Sequence, residues 1–153
     1  MWDKDTTVFG VLAGVLGGTA YQGFVWIFYL IRIAKITPYQ IGAYVLIKPG
    51  LDITSFSAQL LGMVQHYANS ALLAIIALYL LRLMGTDYAW LKGLSFGGVI
   101  YFLLYGVIAK AVVPVGILQP DLSTSAVFMF GNLIFGLVTV LTLVYYSTLR
   151  KVE

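Results

Sequence analysis

Four long stretches of the sequence contain no Asp, Glu, Lys or Arg, and this feature restricts the possible folds more than any other. They cover residues 6–31, 53–81, 93–109 and 122–149. A helix that crosses a bilayer needs about 20 mainly apolar residues, each rising about 1.5 Å. Inside a bilayer the backbone must satisfy its own hydrogen bonds, so only helices or a closed barrel are possible. Because the stretches lack the two-residue alternation of barrel strands, they predict membrane helices.

Composition supports this placement. Hydrophobic residues make up 61% of the chain and charged residues 10%, against about 45–50% and about 25% in soluble domains. Cysteine is absent, which excludes disulfides, thiolate nucleophiles and iron–sulfur centres. The basic side chains mostly flank the apolar stretches, where they would meet anionic lipid headgroups, so we expect no nucleic-acid partner.

The capping and helix-breaking residues between the stretches predict one all-α membrane domain over residues 1–153. This polytopic domain would have four transmembrane helices and a short interfacial helix between the first and second. The predicted spans cover residues 7–33, 54–84, 88–113 and 124–149. Asp52 or Thr54 is expected to cap the second span. The short loop at residues 85–87 predicts that the second and third spans are antiparallel neighbours.

The segment 38–48 is too short to span a bilayer. Thr37-Pro38-Tyr39-Gln40 has the pattern of a capping box with proline at the first helical position. We expect an interfacial helix, with its apolar side in the acyl boundary and Lys48 reaching the headgroups. A re-entrant segment is the alternative, but it would bury Lys48. Five Lys and Arg on the side of the termini, against four on the other side, favour cytoplasmic termini.

Glycines form stripes on the first and third spans, at positions Gly10, Gly14, Gly17 and Gly18, and at Gly97 and Gly98. In lipid, small residues let helix backbones approach closely, which replaces the hydrophobic drive between helices in water. We therefore predict that these six glycines are helix-packing residues. The first and third spans are expected to pack on each other or on copies of themselves.

Polar side chains within the spans are few, and we predict that one group of them shares a pocket. The candidates are Gln22, His66, Asn69, Ser70 and Asn132. Their positions place them in the membrane half that faces the loops at 35–52 and 114–123. The alternative is that they act as interhelical hydrogen bonds with a structural role. His66, the only histidine, is the candidate for proton handling or ligand contact.

Two lysines are candidate contacts for lipid headgroups, Lys48 and Lys110. Lys110 lies four residues before Pro114, and its long side chain is expected to reach the headgroups. A buried cation that binds an anionic lipid or substrate is the alternative.

The residues within the predicted spans give little support to a catalytic function. No span contains an acidic residue, which excludes paired-carboxylate acid–base chemistry within the membrane. One histidine cannot supply two axial haem ligands, and without cysteine no convincing metal site can be assembled. We therefore expect no enzymatic activity, no cofactor and no metal.

The glycine and polar pattern also resembles known small membrane families. It consists of Phe9-Gly10, Gly14 and Gly17-Gly18, then His66 and Ser70, then Lys92-Gly93 and Gly97-Gly98, then Gly131-Asn132 and Gly136. This pattern resembles YqhR-like bacterial membrane proteins and, more distantly, YagU-like inner-membrane proteins, whose proline-rich first loop is missing here. The resemblance implies a four-helix protein of the bacterial cytoplasmic membrane. It implies no catalytic residue.

Three functions are compatible with the sequence. The first is an accessory or scaffolding subunit that packs with itself, with lipid or with a larger membrane complex. The alternative is an oligomeric channel or small-solute permeation protein with a polar pocket around His66. The third is binding of a quinone or lipid by His66 and nearby tyrosines.

Overall fold

A computed structural model describes residues 5–48, 50–108 and 120–149. The helices in these ranges are α1 (Asp5–Leu30), α2 (Pro38–Leu46), α3 (Phe56–Met84), α4 (Ala89–Tyr101) and α5 (Leu122–Leu149). A π-helical segment, Phe102–Ile108, continues α4. Four helical stretches are long and apolar enough to cross a membrane. The all-α class and the four apolar helices are thus confirmed for the described residues. The predicted part of the third span beyond Ile108, and Lys110 with it, lie outside them.

The first long helix ends at Leu30, three residues earlier than predicted. Arg32 has a φ of 62°, and the amides of Ile33 and Ala34 both donate to the Phe28 carbonyl, at 2.9 and 3.1 Å. A left-handed residue followed by such back-bonding satisfies the last carbonyls of a helix and stops it. The predicted end at residue 33 was therefore wrong.

Local capping explains where the next two helices begin. The predicted capping box before α2 is confirmed, because the Gln40 amide donates to Thr37 Oγ1 at 3.3 Å and the Thr37 amide donates to Gln40 Oε1 at 2.9 Å. The predicted cap of α3 was wrong, because Ser55 takes that position. The Asp52 carboxylate instead accepts from the amide and the hydroxyl of Thr54, at 2.8 and 2.6 Å, in its own turn.

The four long helices pack in the order α3, α1, α5, α4, and α2 lies across α3. One prediction about neighbours was wrong: helices α3 and α4 are joined by a short turn but barely touch. Of the two alternatives for the glycine stripes, close packing of α1 on α4 is not seen within the chain, and packing on copies of themselves stays a prediction. The short turn, with left-handed Gly85 and Tyr88, fixes only the sequence of the two helices. Small residues decide the neighbours: Gly93 and Gly97 of α4 and Gly17 of α1 lie against α5, while the other glycines of the α1 stripe lie against α3.

The glycine contacts show how closely these backbones approach. A Cβ atom on Gly14 would lie 2.8 Å from the Ala71 Cα, and one on Gly97 would lie 3.0 Å from the Leu133 Cα. Gly17 and Gly18 are equally confined, the first by α5 and the second by α3. Gly10 and Gly98 make looser contacts, at 3.4 and 3.7 Å from neighbouring side chains. All six predicted packing glycines therefore face another helix of the same chain.

Two apolar clusters fill the bundle. The first packs α1, α4 and α5 around Val25, Phe128 and Phe135. The second lies towards the other end and is formed by Ala13, Ala77, Leu78, Leu81, Val140 and Leu143. Polar side chains of the spans come together beside the first cluster, at a cavity that Tyr21 and Phe135 of this cluster also line.

Candidate binding cavity

A cavity of about 230 Å³ lies among α1, α2, α3, α5 and the π-helical segment, and we call it the His66 cavity. Its polar lining consists of Tyr21, Gln65, His66, Asn69, Ser70, Tyr105 and Asn132. Four of the five predicted pocket residues are thus brought to one site. Gln22 does not line this cavity. Its neighbour Tyr21 supplies the lining position from α1, because adjacent helical residues point about 100° apart.

The His66 ring is fixed by the glycine face of α1. Its Nε2 lies 3.0 Å from the Gly18 carbonyl oxygen. A carbonyl only accepts, so Nε2 carries a proton and donates it, and in the neutral ring Nδ1 is then an acceptor. A side chain at residue 18 would not fit, because a Cβ there would lie 3.3 Å from Nε2 and 2.6 Å from Ser70 Oγ. The hydroxyl of Ser70 donates back to the His66 carbonyl at 2.9 Å.

Three tyrosines, each from a different helix, surround this imidazole. The ring centroids of Tyr21, Tyr39 and Tyr67 lie 5.6, 5.5 and 5.3 Å from that of His66. The Tyr67 hydroxyl lies 3.1 Å from Thr19 Oγ1 and accepts from the Tyr39 hydroxyl at 3.4 Å. Burial is the main cause that raises the pKa of Tyr39 well above its usual range, with help from Tyr67. The Tyr39 hydroxyl therefore stays protonated and able to donate.

Tyr21 also belongs to a second pair of hydroxyls, which it forms with Tyr105. Tyr21 and Tyr105 are 3.2 Å apart through their hydroxyl oxygens, and the Tyr21 hydroxyl also interacts with Asn132. Asn132 itself donates to the Phe128 carbonyl at 2.8 Å. Tyr105 belongs to the π-helical segment, and such wider turns redirect side chains and recur at functional sites.

The tyrosines were largely missed by sequence reasoning. A weak signal existed, because Tyr21 follows Gly17 by one turn, and Tyr101 and Tyr105 repeat at four residues on the third span. Tyr39 carried no such signal, since its approach depends on the crossing of α2 over α3. That crossing uses Gly42 against Gly62, where a Cβ on Gly42 would lie 2.9 Å from the Gly62 carbonyl oxygen.

The cavity contains no charged side chain among the described lining residues. Its rim runs between α2 and the π-helical segment, where Val45 and Ile108 are each about half exposed. Towards the termini the second apolar cluster closes the bundle. Among the described residues, the cavity has a largely apolar lining with hydrogen-bonding groups at seven positions and an apolar rim.

The connection between α1 and α2 is fastened to the start of α5 at the same end of the bundle. Lys35 Nζ lies 2.8 Å from Asp121 Oδ2, and the Lys35 amide donates to Thr124 Oγ1 at 3.0 Å. The Lys35 ammonium is the main cause that holds the pKa of Asp121 well below its usual range. These contacts position α2 and therefore the rim of the cavity.

The remaining polar candidates are more isolated. Lys48 is exposed just beyond α2, and its side chain makes no hydrogen bond or ion pair within the described part of the chain. Gln22 is buried, and neither polar atom of its side-chain amide has a hydrogen-bond partner among the described residues. In the ranges 5–48, 50–108 and 120–149, no cluster of His, Asp or Glu has the arrangement of a metal site.

Comparisons with protein-family models, curated proteins and solved structures find no match to this chain. The likeness to YqhR-like membrane proteins therefore stays a prediction.

Proposed function

We propose that this chain is a multi-pass integral membrane protein that binds a small neutral molecule in the His66 cavity. The observation that carries the proposal is a largely apolar chamber whose lining includes hydroxyl, amide and imidazole groups but no charged side chain among the described residues. Burying an ionised ligand there would cost free energy that no opposite charge offsets. A neutral group with hydrogen-bonding atoms would be stabilised by the tyrosines and by Asn132.

The size of the cavity narrows the class of ligand. At about 230 Å³ it falls below the range of about 300–1,000 Å³ for sites that enclose a whole drug-sized molecule. It fits a polar head, while the apolar remainder extends past Val45 and Ile108 towards lipid. We therefore propose a lipophile with a carbonyl or hydroxyl head, which is the third function considered from sequence.

Binding is favoured over permeation by the second apolar cluster. A solute path through one chain would have to cross Ala13, Leu78 and Val140, which are buried and pack together. A polar solute would lose its hydrogen bonds at that level. We propose no channel.

The membrane setting is part of the proposal. The chain would lie in a bacterial cytoplasmic membrane with cytoplasmic termini, and α2 would lie near one interface. Helix α3 rises about 43 Å over its length, more than the hydrocarbon core of about 30 Å. The crossing at Gly62 is about 9 Å from its first residue, close to the edge of that core. An accessory, non-enzymatic role beside lipid or a membrane partner fits this design.

The test is equilibrium binding of two probes, a decyl-substituted benzoquinone and 1-decanol, to the protein in nanodiscs. Tyr105→Phe removes only a hydroxyl from the cavity wall, and the matched control Tyr79→Phe removes one from the exposed face of α3. Loss of one buried hydrogen bond costs about 0.5–1.5 kcal/mol. We expect at least one probe to bind about 2- to 13-fold more weakly to Tyr105→Phe and unchanged to the control. Saturable binding of neither probe, or equal affinity in both variants, would contradict the proposal.

A further inference from the structure

A second and larger cavity separates α3 from α4, and we call it the α3–α4 groove. Its volume is about 500 Å³, and it begins at the turn that joins the two helices. Val140 of α5 lies at its base. The groove exists because α3 packs on α1 and α2 whereas α4 packs on α5. It is unrelated to the His66 cavity, with which it shares no residue.

The lining of the groove is almost entirely apolar. Leucine, methionine, phenylalanine and valine side chains of the two helices form its walls, with Ser95 midway along and Lys92 near the turn. In a bilayer, water has no partners at such a surface, and an empty space would forfeit the dispersion contacts of its walls. A groove that opens sideways in the membrane is therefore filled by an apolar chain.

The length of the groove distinguishes a lipid chain from a partner helix. On α4 it runs from Tyr88 to Val99, a rise of about 16 Å. This is about half of the hydrocarbon core of about 30 Å, the depth of one leaflet. A transmembrane helix of a second chain would need the full thickness and a width of about 10–12 Å. An acyl chain of one leaflet fits the observed length.

A cation is held at the mouth of the groove, where the headgroup of that lipid would lie. Lys92 Nζ donates to the carbonyls of Met84 and Gly85 at 2.9 and 3.0 Å, at the end of α3. An ammonium has three protons to donate, so one remains for a phosphate oxygen. Asp87 lies in the same turn but forms no ion pair with Lys92 in the described part of the chain. Exposed Tyr88 is placed as interfacial tyrosines are.

We propose that the α3–α4 groove is a phospholipid site. One acyl chain lies between the two helices beside Ser95, and the phosphate binds the Lys92 ammonium.

The experiment is native mass spectrometry of the whole protein in a mild detergent, titrated with dioleoyl phosphatidylglycerol. We expect one lipid to be retained per chain. Ser95→Phe fills the groove and should weaken that binding at least tenfold, while Lys92→Gln should weaken it several-fold. Two matched controls lie outside the groove: Leu72→Phe on the exposed face of α3, and Arg32→Gln at an exposed cation. Both should bind as the unaltered chain does.

A second experiment uses a smaller substitution at residue 95, so that the proposal stays testable if Ser95→Phe does not fold. Because the chain has no cysteine, Ser95→Cys and Leu72→Cys each give one labelling site for a small fluorophore. Phosphatidylglycerol brominated in mid-chain should quench the label at residue 95 at low lipid-to-detergent ratios, before it quenches the one at residue 72. Equal quenching at both sites, or equal lipid retention by Ser95→Phe and the unaltered chain, would overturn the proposal. So would a disulfide between two Ser95→Cys chains, because a second copy would then fill the groove.

Discussion

Substituting alanine at two glycines of α1 measures how tightly this bundle is packed. A Cβ on Gly14 would lie 2.8 Å from the Ala71 Cα and 2.8 Å from the Ser70 carbonyl carbon. These are backbone atoms of α3, so they yield only if the two helices separate. A Cβ on Gly23, in the same helix, would meet nothing within 4 Å. The two substitutions are chemically identical and differ only in the neighbouring helix.

The expected magnitudes follow from the two environments. Overpacking a close contact costs about 1–3 kcal/mol, so Gly14→Ala should lower the free energy of unfolding by about that amount. Gly23→Ala should raise it by up to about 1 kcal/mol, since alanine loses less backbone entropy than glycine in a helix. The difference between the variants is therefore about 1–4 kcal/mol.

The assay is reversible unfolding in mixed micelles with increasing SDS, followed by far-ultraviolet circular dichroism. Both variants are compared with the unaltered chain at the same lipid and detergent concentrations. Equal stabilities of Gly14→Ala and Gly23→Ala, within about 0.5 kcal/mol, the scatter expected between independent substitutions, would refute close packing of α1 on α3. A more stable Gly14→Ala would do so as well.

Two further predictions concern the ends of the bundle. Asp121→Asn removes the ion pair with Lys35, and it should lower the midpoint of thermal unfolding at pH 7. Because the pKa of Asp121 is lower in the folded chain, its stabilisation is present above the ordinary aspartate pKa of about 4 and is lost as the pH falls through the lower folded value. The gap between the two melting curves should close at acid pH, and a constant gap from pH 7 to pH 2 would argue against the ion pair. Gly62→Ala places a methyl group against the Tyr39 carbonyl, so hydrogen exchange should speed up in α2 and stay unchanged in α5; unchanged exchange in α2 would disprove the crossing.

Local physics explains what the sequence could predict. Span positions follow from charge-free runs, and the capping box at Thr37 and Gln40 involves residues three apart, so both were predictable. The gathering of His66, Ser70 and Asn132 was predictable from depth and helix face, because these quantities depend on rise and angle alone.

The features that could not be predicted depend on how the helices pack against one another. A short loop makes two helices antiparallel but does not force contact, so the separation of α3 from α4 could not be inferred from residues 85–87. Which face of α5 accepts Gly17 and which accepts Gly97 depends on the complementary shape of both helices. The π-helical turn that brings Tyr105 to Tyr21 also has no simple sequence signature.

The central claim is that a cavity inside the membrane holds the imidazole of His66 through the Gly18 carbonyl and binds a neutral ligand beside this ring. Nitrogen-15 NMR of selectively labelled histidine in nanodiscs tests it most directly, because the chain has a single histidine. The account predicts a proton on Nε2 and ring-nitrogen resonances that move when a probe that binds is added. A proton on Nδ1, or a spectrum that no probe perturbs, would contradict it.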